Sequence, residues 1–156
     1  MNRLTTLLLL ALLSLAVAAE TKYHNARFGF SVKIPQGFSR GEEPANGDGC
    51  ILTSSDGRAQ ARLYGSNNLE NLTLKQAHQR ALQELPGKPS YQATGKKWFV
   101  VSWKYEGTIH YRKTFVGPGS MDTLWFQYPE PLAKTYNPVA RAFEASFRPG
   151  DLSKSH

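Results

Sequence analysis

Apolar and polar positions divide this chain into a greasy leader, a series of short alternating segments and two amphipathic stretches. Residues 4–17 are apolar except for Thr5, Thr6 and Ser14, follow Arg3, and end in the small residues Ala18 and Ala19. That is the layout of a secretory signal peptide, with cleavage expected after Ala19 and Ala18 as the second choice. The run is short for a membrane span of about 20 residues, and Glu20, Lys22 and His24 follow at once. These features argue against a retained helix and against stable membrane insertion after cleavage. No Cys follows the apolar run, which argues against a lipoprotein.

Beyond the leader, Ala26, Phe28, Phe30, Val32 and Ile34 alternate with polar or small residues, the period of a strand with one buried face. Pro35-Gln36-Gly37 ends it, and a polar, Gly-rich loop is expected over 39–49. Residues 50–55 and 58–64 flank Asp56-Gly57, a pair suited to a two-residue type I′ hairpin turn. That register sets Leu52 against Ala61 and Cys50 against Leu63 on one face, with Ile51, Thr53, Gln60 and Arg62 on the other. Thr73 and Gln76 form a capping box. Leu74, Ala77, His78, Ala81, Leu82 and Leu85 then recur at helical spacing until Pro86-Gly87. Residues 91–94 read as a weak strand.

Residues 98–105 and 108–116 make a second hairpin around Glu106-Gly107. It pairs Trp103 with His110, Val101 with Arg112, Val100 with Lys113 and Trp98 with Phe115. Residues 123–128 form a further strand. Asn137-Pro138 reads as an N-cap followed by proline at the first helical position, with Val139, Ala142, Phe143 and Phe147 on the apolar stripe. The hairpins imply antiparallel pairing, and large apolar groups on both faces of the second one imply cover on both sides. The fold class expected is α+β, a single antiparallel sheet flanked by helices. The chain divides into a signal peptide at 1–19, one domain at 20–150 and a flexible tail at 151–156.

Charge adds little to this picture. The formal net is +7, and +6 once Arg3 leaves with the leader. The basic residues are dispersed, with Lys96-Lys97 and Arg112-Lys113 the only adjacent pairs. A soluble, mildly basic surface is expected, and no nucleic-acid partner. One Cys excludes an internal disulfide. Cys50 sits among apolar neighbours in its hairpin and is expected to be an inert buried thiol.

His24, His78, His110 and His156 lack metal-site spacing. The acids Glu42, Glu43 and Asp48 lack the Asp-x-Asp-x-Asp rhythm of a calcium loop. The Asn71-Leu72-Thr73 sequon is read as a helix cap. No nucleophile elbow, phosphate-cradling loop or His-Glu-x-x-His motif is present. No cofactor is expected.

The suggestive cluster is Trp98, Trp103, Tyr105, His110, Tyr111 and Arg112, since aromatics and Arg are enriched where proteins meet partners. Trp103, His110 and Arg112 share a strand face, and Tyr64, Asn67 and Asn68 leave a neighbouring strand where their groups can line a pocket mouth. These six are the candidate binding residues. The competing reading of the hairpin is plain core.

Several segments resemble small exported bacterial proteins of the PsbP-like and DcrB-like α/β/α sandwich type. They are Tyr23–Pro35, Asn46-Gly47-Asp48-Gly49, Tyr64–Asn68, Trp98–Ser102 and Ala145–Gly150. The resemblance spans most of 23–150. It implies a fold, a periplasmic address and a non-catalytic accessory role in binding another envelope protein. The alternatives are a small-ligand binder, an immunity protein against a secreted toxin, and a hydrolase whose site assembles from distant parts. Oligomeric state is not legible in the sequence.

Overall fold

A computed structural model describes residues 21–156, so the expected signal peptide lies outside the described residues. The first departure from the sequence reading comes at once. The alternation over 26–34 is not one strand. β1 (Lys22–His24) and β2 (Ser31–Lys33) pair antiparallel, with Tyr23 opposite Val32. Between them, Asn25 Oδ1 accepts the Phe28 amide at 2.7 Å and Gly29 takes a left-handed φ of 79°. A side-chain-closed turn thus buries Phe28 and Phe30 together, and a turn of this kind imitates strand periodicity.

β3 (Phe38–Arg40) occupies the start of the expected loop and edges β4 (Gly49–Ser54). β4 pairs with β5 (Gln60–Asn67) in the expected register, Cys50 opposite Leu63 and Leu52 opposite Ala61. The turn type differs. Gly57 is left-handed and Asp56 is not, so this is no type I′ turn. Asp56 instead accepts the Ser54 hydroxyl at 2.6 Å and the Arg58 amide at 3.0 Å.

α1 (Leu74–Gln83) carries the expected Thr73–Gln76 capping box. β6 (Tyr91–Thr94), β7 (Trp98–Tyr105), β8 (Thr108–Val116) and β9 (Ser120–Pro129) follow as an antiparallel meander. All four cross-strand pairs expected between β7 and β8 are present. Here Glu106 and Gly107 both have positive φ, 46° and 73°, as a type I′ turn requires.

A single 3₁₀ turn, Glu130–Leu132, leads into α2 (Ala133–Ser146). This helix starts four residues before the expected Asn137 cap and carries Pro138 inside. Burial outweighs the proline. Tyr136 is packed against Phe126 and Tyr128 and donates to Asp56, while Asn137 accepts from the Tyr128 hydroxyl at 2.7 Å.

The expected single sheet is therefore two. One is the β1–β2 ribbon, and the other has seven antiparallel strands in the order β3-β4-β5-β9-β8-β7-β6. α2 and the ribbon cover one face over a core that includes Phe30, Leu52, Leu63, Leu124, Phe126 and Phe143. α1 lies on the other face over Phe99, Val101 and Trp103.

The tail expected to be flexible is hydrogen-bonded into the fold. The Gly119 amide donates to Leu152 O, and Asn67 exchanges two bonds with the His156 backbone. The His156 ring lies 5.0 Å from that of Phe28. Among the described residues no helix is long and apolar enough to cross a membrane.

Candidate functional site

The face that carries α1 is only partly covered. Strand register sets Arg62 of β5, Trp125 of β9, Arg112 of β8 and Val101 of β7 in one lateral row. The adjacent row holds Gln60, Gln127, His110 and Trp103. α1 packs over β7, so Trp103 is only 5% exposed. Towards β4 and β5 the same face opens. Ile51 is 40% exposed, Arg62 is exposed, and Tyr64 and Trp125 are half-buried.

The aromatic and cationic groups are tightly interlocked. The His110 ring lies flat on Trp103, with centroids 4.8 Å apart and planes 6° apart. The Trp125 indole N–H donates to His110 Nδ1 at 3.3 Å. Burial, and then the nearby Arg62 charge, hold the His110 pKa below its usual value. The imidazole is thereby kept in the neutral form that this bond needs. Arg112 lies over Trp103 at 5.7 Å and Trp125 at 6.0 Å, and Arg62 lies over Trp125 at 5.4 Å. Guanidinium stacking of this kind holds a cation in place while leaving N–H groups for a partner.

Arg112 donates to Ala81 O at 3.1 Å and approaches Glu84 at 3.5 Å, and its Nε is buried with no partner among the described residues. Arg62 makes no salt bridge among the described residues.

Beside this row lies a cleft of about 680 Å³, between the 42–48 loop and Ile51, Arg62, Tyr64 and Ser66. The loop is fastened by Arg27–Asp48 at 2.5 Å, Arg40–Glu43 at 3.1 Å and the Asn25 amide on Gly47 O at 2.9 Å. A smaller hollow of about 200 Å³ continues from Tyr64 and Ser66 towards Arg112 and the flank of α1.

Of the six candidate residues, four meet on this face: Trp103, His110, Arg112 and Tyr64. Trp103 belongs to its core and the other three to its half-open part. The structure draws Asn67 and Asn68 elsewhere. Asn67 holds the His156 backbone, while buried Asn68 bonds Leu72 and Gly117. Arg62 and Trp125 were missed, because their neighbourhood depends on β5 lying beside β9. Alternation in β9 does assign Trp125 to the face opposite Leu124 and Phe126, and that was the available signal.

Cys50 is buried on the closed face. His78 stacks on Phe99 at 5.0 Å, its pKa lowered by burial. Among the described residues no group of three or more His, Cys, Asp or Glu is placed to hold a metal ion.

No family model matches the chain, and neither does any curated protein. Solved structures do match it. The chain is similar to the solution structure of cyanobacterial PsbP (CyanoP) from Synechocystis sp. PCC 6803, with a TM-score of 0.63 and 10% identity, over 87% of this chain and 95% of that one. It is also similar to a crystal structure from Bacteroides thetaiotaomicron VPI-5482, with a TM-score of 0.52 and 17% identity over 87% of this chain. This chain spans 50% of that protein's length. Likeness at such identities bears on architecture alone, and by it the chain has a PsbP-like fold.

Proposed function

We propose that this protein is an exported, non-catalytic accessory protein that binds another envelope protein through the half-open face of its large sheet. The observation that carries the reading is the Arg62–Trp125–Arg112 row, two guanidinium groups stacked on one partly exposed indole beside a cleft. Aromatic and Arg side chains of this kind are the usual anchors of protein interfaces. Here they sit on strands, so little ordering entropy is lost when they engage. A complex of ordinary size buries about 1,200–2,000 Å² in total, and the cleft with its rim is the place for its centre.

A photo-crosslinking residue at Ile51 or Ser66, in protein expressed in its own cells, tests the assignment. One specific adduct is expected, lost on Arg62→Glu, with none from the same residue placed at Lys134. Adducts no richer than the Lys134 control would refute the reading. An adduct with a secreted toxin would turn it into the immunity variant. The cleft volume favours a second reading, because sites for small ligands run from about 300 to 1,000 Å³. A small-molecule extract that raises the melting temperature of the wild type but not of Tyr64→Ala supports that alternative.

A further inference from the structure

On the opposite side of the molecule lies a cluster of cations that the proposed interface does not use. β1 and β2 point Tyr23 and Val32 into the core, and Lys22 and Lys33 outward, directly opposite each other. Backbone bonds from Asn25 N–H to Phe30 O and from Ile34 N–H to Thr21 O fix which pairs are hydrogen-bonded. Lys22–Lys33 falls between them as a non-hydrogen-bonded pair, the kind with Cα atoms about 4.5 Å apart and side chains closest.

Like charges so placed oppose folding. Neither lysine makes a salt bridge among the described residues. A third cation stands beside them, because Arg148 bridges Ser31 through two backbone bonds. Its Nη1 caps the end of α2 on Ala145 O and Phe147 O, and Nη2 has no hydrogen-bond partner among the described residues.

These groups surround a cleft of about 420 Å³ between the ribbon and the end of α2. Ala142 and Ala145 leave it room, Ser31 adds a hydroxyl, the Ser146 hydroxyl is engaged with Phe143 O and the Lys33 amide, and none of the described residues lining it is acidic. The helix end explains Arg148 through its carbonyl partners. It does not explain two lysines set face to face.

We propose that this cleft is a binding site for a doubly charged oxyanion of the phosphate-monoester class. Two lysines and one arginine in its lining offer it ammonium and guanidinium N–H donors. A phosphate monoester has three acceptor oxygens and a charge of about −1.5 to −2 near neutral pH, whereas a carboxylate presents only two oxygens. Bound there, the anion converts the Lys22–Lys33 repulsion into two attractions.

The test is an amide NMR titration with inorganic phosphate at low ionic strength, on the wild type and on the Lys22→Gln/Lys33→Gln protein. Saturable shifts are expected at residues 22, 31, 33 and 148, with affinity about tenfold weaker or more in the double variant. Both lysines point to solvent, so the double variant folds. Without phosphate it is expected to melt at a higher temperature than the wild type, and with phosphate the order is expected to narrow or reverse.

Co-sedimentation with phosphatidic acid vesicles, against phosphatidylglycerol vesicles whose phosphate is a diester, separates the sources. Selective binding to the former makes a membrane headgroup the ligand. Phosphate shifts without vesicle binding make it a soluble one. No saturable shift at the lining amides, or equal affinity in wild type and double variant, overturns the proposal.

Discussion

The two faces of the seven-stranded sheet come from the same strands, residue by alternate residue, and are finished in opposite ways. On one, α2 and the β1–β2 ribbon bury a continuous apolar layer around Phe126 and Phe143. On the other, α1 covers the β7 side and stops, leaving Arg62, Tyr64 and Trp125 short of full cover. Polar groups follow the same division. The closed face admits Lys113 only because Glu144 meets it at 2.8 Å and the rings of Trp98 and Phe115 shield it. The open face keeps guanidinium groups stacked on indole, Arg112 with Glu84 at 3.5 Å and Arg62 with no salt bridge among the described residues. One side is built for stability, and the other holds side chains rigid while they stay accessible.

The contrast breaks first, if it breaks, on stability. Phe143→Ala is expected to cost about 3–5 kcal/mol in urea unfolding, as for a large aromatic removed from a filled core. Trp125→Ala is expected to cost about 1–2 kcal/mol, since that ring is half-buried. Equal losses would mean that the open face is core after all.

Asp122 sharpens the closed side. It is fully buried, accepts the Gly150 amide at 2.8 Å through Oδ2, and leaves Oδ1 with no partner among the described residues. Burial pushes its pKa up to about 6. The fold therefore holds its proton more tightly than the unfolded chain does. Its contribution to stability is greatest below 3.8 and is lost as pH rises to about 6. A loss on the order of 2–3 kcal/mol across that window is expected. Asp122→Asn is expected to flatten the curve, as followed by denaturant melts at several pH values.

Much of this molecule was legible where interactions are local. The registers of both long hairpins and the Thr73 capping box depend on residues a few positions apart, and they stand as read. The reading failed where distant contacts overrode local signals. Asn25 and Gly29 fold an alternating segment back on itself, and the burial of Tyr136 carries α2 through Pro138. Arg62 and Trp125 come together through a pairing across some sixty positions, which no local pattern encodes. Hence the β7–β8 half of the candidate site was found, and of the β5–β9 half only Tyr64 was.

Smaller effects test the open face. Because His110 must be neutral to accept from Trp125, its stabilising part is present above 6.5 and fades as pH falls below that value. The Trp125 indole N–H signal in NMR is expected to titrate with a midpoint below 6.5. A midpoint above it would separate His110 from the Trp125 contact. Arg62→Ala is expected to change stability by no more than about 0.5 kcal/mol in the same urea experiment, with the folded spectrum preserved. A larger loss would mark Arg62 as structural.

Strand order also has a consequence in time. β3-β4-β5 and β6-β7-β8-β9 are each simple meanders of neighbours, and β5–β9 is the one pairing in the large sheet that spans the chain. Closing such a distant pair carries the largest loop entropy in the sheet. The two meanders are thus expected to assemble before the seam between them. Leu63→Ala, at that seam, should speed unfolding more than it slows refolding in stopped-flow measurements.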